Sequence, residues 1–124
     1  MERLFFSIGC AFGFVSVALG AFAAHALKAR IAPEQLATFE VGVRYQLIHA
    51  LALFAVAWAH TRWPGRWVQA SGWLFVIGTL LFSGSLYALS LSGVRALGIV
   101  TPIGGIALLA GWLCLLWAPW QKAP

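Results

Sequence analysis

Four long apolar segments, separated by short polar connections, dominate the pattern of this sequence. They run from Leu4 to Leu27, from Thr38 to His60, from Val68 to Leu91 and from about residue 98 to residue 118. Spanning the ~30 Å hydrocarbon core of a bilayer takes about 20 apolar residues in a helix, and the first three segments exceed that length. The pattern therefore predicts an all-α fold, a polytopic transmembrane four-helix bundle in which residues 1–124 form a single domain.

The second segment has the clearest beginning and end. Pro33 suits the first position of a helix, because no intrahelical bond needs its missing N–H and its ring fixes φ. No further proline interrupts the segment before Pro64. A helix from Pro33 to His60 would be ~42 Å long at ~1.5 Å per residue, which is longer than the hydrocarbon core. The excess lies at its beginning, where the charged residues are.

The fourth segment allows two interpretations of its beginning. In the favoured one, Thr101 is the N-cap and Pro102 the first helical residue. Leu97–Val100 would then enter the membrane as irregular backbone, which requires cover by protein or water. In the alternative, the helix begins near Leu97 and Pro102 kinks it.

Polar side chains interrupt the apolar segments at membrane depth. On the second helix, three of them share one face at ~100° per residue, opposite to Glu40 and Arg44. Others end the first helix or lie late in the third, so that we expect all of them to fall in the half of the membrane away from the termini. We predict that they converge in one hydrogen-bonded cluster. The predicted cluster consists of His25, Tyr45, Gln46, His49, Ser83 and Tyr87.

Two interpretations of this cluster remain open. Such groups hold helices together by interhelical hydrogen bonds worth about 0.6 kcal/mol on average, or they line a pocket. Nucleophilic catalysis would need a Ser or Cys beside a His and an orienting carboxylate, and the sequence contains no Asp. A metal site needs three or four ligands, of which the cluster offers two histidines. We therefore expect no catalytic residues, no metal and no cofactor.

The charge of the chain indicates contact with lipid. The sequence is 62% hydrophobic and 9% charged, whereas soluble domains carry about a quarter of charged residues. Its net charge is +5, and its eight lysines and arginines are scattered singly rather than clustered. This distribution favours contact with lipid headgroups over binding of nucleic acid. Lys28, Arg30 and Arg44 are expected at the mouth of the cluster. Glu40 precedes Arg44 by four residues, a spacing that predicts an ion pair worth about 0.3–0.5 kcal/mol.

These features favour a non-enzymatic protein that binds a lipid headgroup, a small amphiphile or a partner helix in a one-sided polar pocket. The alternative is an oligomeric transport or channel unit, and a membrane enzyme comes third. The expected partners are membrane lipids, together with a second copy of the chain or another membrane protein.

Short motifs in all four segments resemble one known family. They are Leu19–His25, Tyr45-Gln46 with His49–Leu51, Leu81–Tyr87, and Thr101–Gly105 with Ala110–Trp112. The sequence is similar here to the YgdD-like family of small, four-span inner-membrane proteins of unknown function. One departure is Ala23, where the family's first motif usually has a glycine. The resemblance implies four spans in a bacterial inner membrane, and it implies no activity.

The positive charges predict cytoplasmic termini. Arg3, Arg62, Arg66 and Lys122 lie on the terminal side, and Lys28, Arg30, Arg44 and Arg95 lie on the other. The counts are equal until Arg44 is discounted for its expected pairing with Glu40, and the positive-inside rule then favours the terminal side. A fluorescent protein fused to the C-terminus should therefore fluoresce, and alkaline phosphatase fused there should be inactive. Strong phosphatase activity would show the opposite orientation.

Overall fold

The computed structural model describes residues 1–122 and consists of four long α-helices joined by short connections. The long helices are α1 (Glu2–His25), α2 (Pro33–Arg62), α3 (Arg66–Ser92) and α4 (Val100–Trp117). Short 3-10 helices cover Leu27–Ala29, Arg95–Ile99 and Ala118–Trp120. Each long helix, taken with its flanking turn where it has one, is long and apolar enough to cross a membrane. The described part of the chain contains no strand, so the predicted all-α transmembrane fold is confirmed.

The ends of α2 and α3 follow local sequence signals. Pro33 begins α2 as predicted, and the Gln35 side chain accepts a hydrogen bond from the backbone N–H of Ala32 at 3.2 Å. Gly93 ends α3 in the left-handed conformation, with φ of 71°, and its N–H donates to the carbonyl of Leu89 at 2.8 Å. Glycine is favoured at such an end because it has no Cβ to clash at positive φ.

The beginning of α4 differs from the prediction. The helix begins at Val100, with Ile99 as its N-cap, so Thr101 and Pro102 are its second and third residues. The assignment of Thr101 as N-cap was therefore wrong. Proline is tolerated throughout the first turn, because the first N–H groups of a helix lack intrahelical partners. The preceding residues form a 3-10 helix rather than irregular backbone.

Packing is mainly between helices that are consecutive in sequence, with α2 and α3 at the centre. The larger apolar cluster lies toward the termini, and its largest fully buried members are Phe5, Leu53, Val56, Val68 and Phe75. A smaller cluster of Ala23, Leu27 and Phe39 lies toward the other end. Several buried polar side chains, among them Gln46, His49 and Thr79, lie between these two clusters.

Glycines allow the helices to approach closely, as expected for membrane bundles. A Cβ on Gly104 would lie against the backbone nitrogen of Phe82 and 2.8 Å from its Cα. A Cβ on Gly111 would lie 2.7 Å from the ring of Phe75. The backbones of α3 and α4 are therefore in near contact.

Gly104→Ala should destabilise the protein, because backbone atoms of Phe82 cannot move aside as a flexible side chain can. We expect the free energy of unfolding to fall by about 1–3 kcal/mol, the usual cost of overpacking. Thermal unfolding in detergent would measure this. The matched control is Gly13→Ala on α1, where a Cβ meets nothing within 4 Å. Equal stability of the two variants would contradict the close packing of α3 and α4.

Candidate functional site

Gln46 connects three helices through its buried side-chain amide, which is 5% exposed. Its Nε2 donates to the carbonyl oxygen of Phe12 on α1 at 3.0 Å. Its Oε1 accepts from the hydroxyl of Tyr87 on α3 at 2.7 Å. The Phe12 carbonyl can only accept, so it fixes which end of the amide faces α1.

His49 connects α2 to α4 and is held in one tautomer. Its Nδ1 lies 2.7 Å from the carbonyl oxygen of Tyr45, one turn earlier in the same helix. Its Nε2 lies 3.0 Å from the indole Nε1 of Trp112 on α4. A carbonyl only accepts and an indole N–H only donates. His49 is therefore neutral, with its proton on Nδ1.

Hydroxyl groups add further links between neighbouring helices. Ser83 donates to the carbonyl of Gly42 at 2.7 Å, which joins α3 to α2. The hydroxyls of Ser85 and Thr101 are hydrogen-bonded to each other, which joins α3 to α4. We use the name polar layer for the side chains of Gln46, His49, Thr79, Ser83, Tyr87 and Trp112.

Four of the six residues of the predicted cluster belong to this layer, and two do not. Tyr45 is 39% exposed and packs against Phe82, with ring centroids 4.8 Å apart. Its contribution to the layer is its backbone carbonyl. The His25 side chain is exposed and makes no hydrogen bond to any described residue, so its convergence with Gln46 and His49 was a wrong prediction. The reason is depth, because Gln46 is level with Phe12 and His25 lies about 20 Å farther along α1.

The sequence predicted that the polar residues fall in the half of the membrane away from the termini, but the layer is not confined to that half. Gln46 is the fourteenth of the 30 residues of α2, close to the middle of that helix. The buried Ser16 on α1 and Thr79 on α3 are also near the middle of their helices. These three residues therefore lie near mid-depth, and Ser83 and Tyr87 lie farther toward the non-terminal end of the bundle.

The predicted ion pair between Glu40 and Arg44 is absent from the described structure. Both side chains are exposed on the face of α2 opposite to His49, and the side-chain ion pairs within residues 1–122 are formed by Glu2. The Glu2 carboxylate lies 3.3 Å from Nδ1 of His60 and 3.7 Å from the N-terminal nitrogen. An exposed pair gains little, because ordering two long side chains offsets most of the attraction.

The expected cationic mouth is not beside the polar layer. Lys28 and Arg30 are exposed in the connection after α1, and Arg44 lies on the outer face of α2. None of the three lines either cavity next to the layer. Depth separates Lys28 and Arg30 from the layer, as it does His25, whereas Arg44 is close to the layer in depth but lies on the outer face of α2.

Two cavities flank the polar layer. The first, the α1–α3 crevice, has a volume of about 380 Å³, with walls from α1 and α3 and Gln46, Thr79 and Tyr87 among its lining residues. The second, of about 350 Å³, lies between α2, α3 and α4 and is lined in part by Tyr45, His49 and Trp112. Residues 1–122 contain no group of three or more His, Cys, Asp or Glu side chains placed to bind a metal.

Sequence reasoning missed Trp112 and the role of Thr79. The other tryptophans of α4 and its flanking turn, Trp117 and Trp120, lie at the helix end, where aromatic rings are expected at the interface. Trp112 lies deeper, and a spacing of four, three and four residues places it on one face with Thr101, through Gly105 and Leu108. That position was the available signal of a partner inside the bundle.

Residues 19–105 match the family described as protein of unknown function DUF423. This chain belongs to the DUF423 family. It is 39% identical over 115 residues to the UPF0382 membrane protein YwdK of Bacillus subtilis, covering 92% of this chain and 94% of YwdK. It is 43% identical over 104 residues to the UPF0382 inner membrane protein YgdD of Escherichia coli K12, covering 84% of this chain and 79% of YgdD.

These relatives confirm the resemblance to the YgdD-like family and the assignment to a membrane. No solved structure matches the chain. The orientation of the termini stays a prediction.

Trp112→Phe should destabilise the bundle, because it leaves Nε2 of His49 buried without a donor. We expect a loss of about 0.6–1.7 kcal/mol, between the average and the largest value measured for hydrogen bonds between membrane helices. Combining it with His49→Leu in a double-mutant cycle of thermal unfolding would isolate this bond. Trp117→Phe is the control, since the exposed Trp117 makes no side-chain hydrogen bond to a described residue. A coupling energy near zero would contradict the bond.

Proposed function

We propose that this protein is a non-enzymatic lipid-binding protein of the membrane, which holds an uncharged lipid or small amphiphile in the α1–α3 crevice. The proposal depends on one observation, the state of Thr79. Its side chain is 2% exposed, and its hydroxyl oxygen makes no hydrogen bond within the described part of the chain. A buried hydroxyl without a partner costs about 1–3 kcal/mol. A ligand that bonds this hydroxyl would recover that cost.

The crevice has the size and the lining of a ligand site. Its volume of about 380 Å³ lies within the ~300–1,000 Å³ usual for small-molecule pockets. The rim is apolar, with Val15 of α1 and Leu80 of α3 exposed at the lipid-facing surface. Polar groups lie at the back of the crevice, so an apolar molecule entering from the bilayer would meet them last.

The available hydrogen bonds favour a ligand with a carbonyl or hydroxyl group. Gln46 uses one of its two amide N–H groups on Phe12. The second N–H and the hydroxyl of Thr79 are both able to donate. Two donors at the end of an apolar crevice suit an acceptor oxygen, such as that of a lipid ketone, quinone, ester or alcohol.

Charge and catalysis fit this site less well. The side chains that line the crevice are uncharged, and a charged group near mid-membrane is costly. Hydroxyl nucleophiles need an adjacent base. Thr79 has no such partner, and both ring nitrogens of His49 are already bonded. These observations support binding rather than reaction.

Thr79→Val should separate ligand binding from folding. It removes the hydroxyl with little change of shape, so the delipidated protein should melt at a higher temperature than the wild type. Retention of the neutral lipid should fall about fivefold, which corresponds to the loss of one hydrogen bond of about 1 kcal/mol. Native mass spectrometry of protein purified in nanodiscs, with extraction of the bound lipid, would measure this retention.

Two variants serve as controls for this experiment. Thr79→Ser keeps the hydroxyl and should keep the lipid. Thr38→Val makes the same chemical change at a hydroxyl that bonds the Glu34 carbonyl of its own helix, and retention should not change. Equal lipid retention by the wild type and Thr79→Val, or no retained lipid in the wild type, would refute the proposal.

A further inference from the structure

A further pocket lies at the end of the bundle where the termini are, far from the polar layer and its two cavities. It has a volume of about 730 Å³ and lies between the start of α3 and the segment that follows α4. We call it the interfacial pocket, lined chiefly by Arg66, Trp67, Trp117, Trp120, Gln121 and Lys122.

Specific contacts hold the two sides of this pocket together. The Gln121 side chain donates from Nε2 to the carbonyl oxygen of Trp63 at 3.0 Å, which ties the segment after α4 to the turn between α2 and α3. Gly65 allows this approach, because a Cβ there would lie 2.8 Å from Oε1 of Gln121. The guanidinium of Arg66 lies 5.3 Å from the centre of the Trp67 ring, a cation–π distance that orients it.

The charge at this end of the protein is strongly positive. Arg66 and Lys122 line the pocket, and Arg3 and Arg62 lie at the same end of the bundle. The sequence has three acidic residues, of which Glu34 and Glu40 lie toward the opposite end. The third, Glu2, is engaged by His60 and the N-terminal amine. The two cations of the pocket therefore have no acidic side chain among the residues that line it.

The aromatic rings indicate the depth of the pocket. Tryptophans collect at the level of the lipid headgroups, where the ring is apolar and the N–H is hydrated. Three of the lining residues are tryptophans, and Trp117 and Trp120 are 52% and 74% exposed. A ligand between them would have its polar part beside the cations and its apolar part against the rings.

From this arrangement we propose that the interfacial pocket binds the headgroup of an anionic phospholipid, with its phosphate held by Arg66 and Lys122. Basic residues near a membrane surface attract anionic lipid, each strengthening binding about fivefold. The site is independent of the α1–α3 crevice, since it lies at headgroup level and selects for charge. Either site could fail its test without affecting the other.

The test compares lipids retained by the protein in nanodiscs of equimolar phosphatidylglycerol and phosphatidylcholine. The wild type should retain phosphatidylglycerol preferentially in native mass spectra. The double variant Arg66→Gln/Lys122→Gln should reduce the ratio of the two retained lipids about 25-fold, since two cations are lost. The matched control, Lys28→Gln/Arg30→Gln, removes the same charge at the opposite end and should leave the ratio unchanged.

Each other outcome would overturn the proposal. An unchanged ratio in the pocket variant shows that the pocket does not select the lipid, and an equal fall in both variants shows a general charge effect. Wild-type protein gives a check that needs no variant, because added phosphatidylglycerol should raise its melting temperature and phosphatidylcholine should not. If inorganic phosphate alone gives the same rise, the occupant is a free anion and not a lipid.

Discussion

A buried amide fixes the arrangement of this bundle. In hydrocarbon, a polar group without a partner is costly, so Gln46 stabilises the fold only when both ends of its amide are bonded. Those bonds lead to the Phe12 carbonyl on one neighbouring helix and to Tyr87 on another. Sliding either helix by a turn would break a bond and leave a buried group alone. This side chain therefore ties α1, α2 and α3 together in depth, and the bond from Ser83 to the Gly42 carbonyl reinforces the depth of α3 against α2.

Apolar packing and the polar layer have different roles. Lipid tails are as apolar as leucine, so apolar contact between helices gives little preference for one register over another. The glycines of α4 bring it against Phe82 and Phe75, which sets distance. The hydrogen bond between His49 and Trp112 sets register. The α1–α3 crevice exists because α1 packs chiefly on α2 rather than on α3. Thr79 of α3 therefore receives no hydrogen-bond partner from α1.

Periodicity and helix-end chemistry predicted the fold well. The site was predicted less well, because the sequence does not show which residues of neighbouring helices lie at the same depth. Length and apolar composition predicted four spans, and Pro33 and Pro64 bracket α2 as expected. The polar face of α2 was also right, since Gln46 and His49 are buried and Arg44 is exposed. The prediction for His25 failed because the packing of α1 on α2 decides which residues lie at the same level. The sequence does not show which carbonyl of α1 lies opposite Gln46. The face of α4 that carries Trp112 is visible in the sequence, but its partner His49, and the lack of a partner for Thr79 among the described residues, depend on contacts between helices distant in sequence.

The two hydrogen bonds of His49 also bear on whether it can transfer a proton. A histidine relays a proton by taking one at a ring nitrogen and releasing another from the opposite nitrogen. Here the free lone pair faces an indole N–H, which is a donor only, and the bound proton faces a backbone carbonyl, which is an acceptor only. Neither neighbour can pass a proton onward. In this arrangement His49, the one fully buried histidine of the described chain, has no hydrogen-bonded neighbour that could relay a proton.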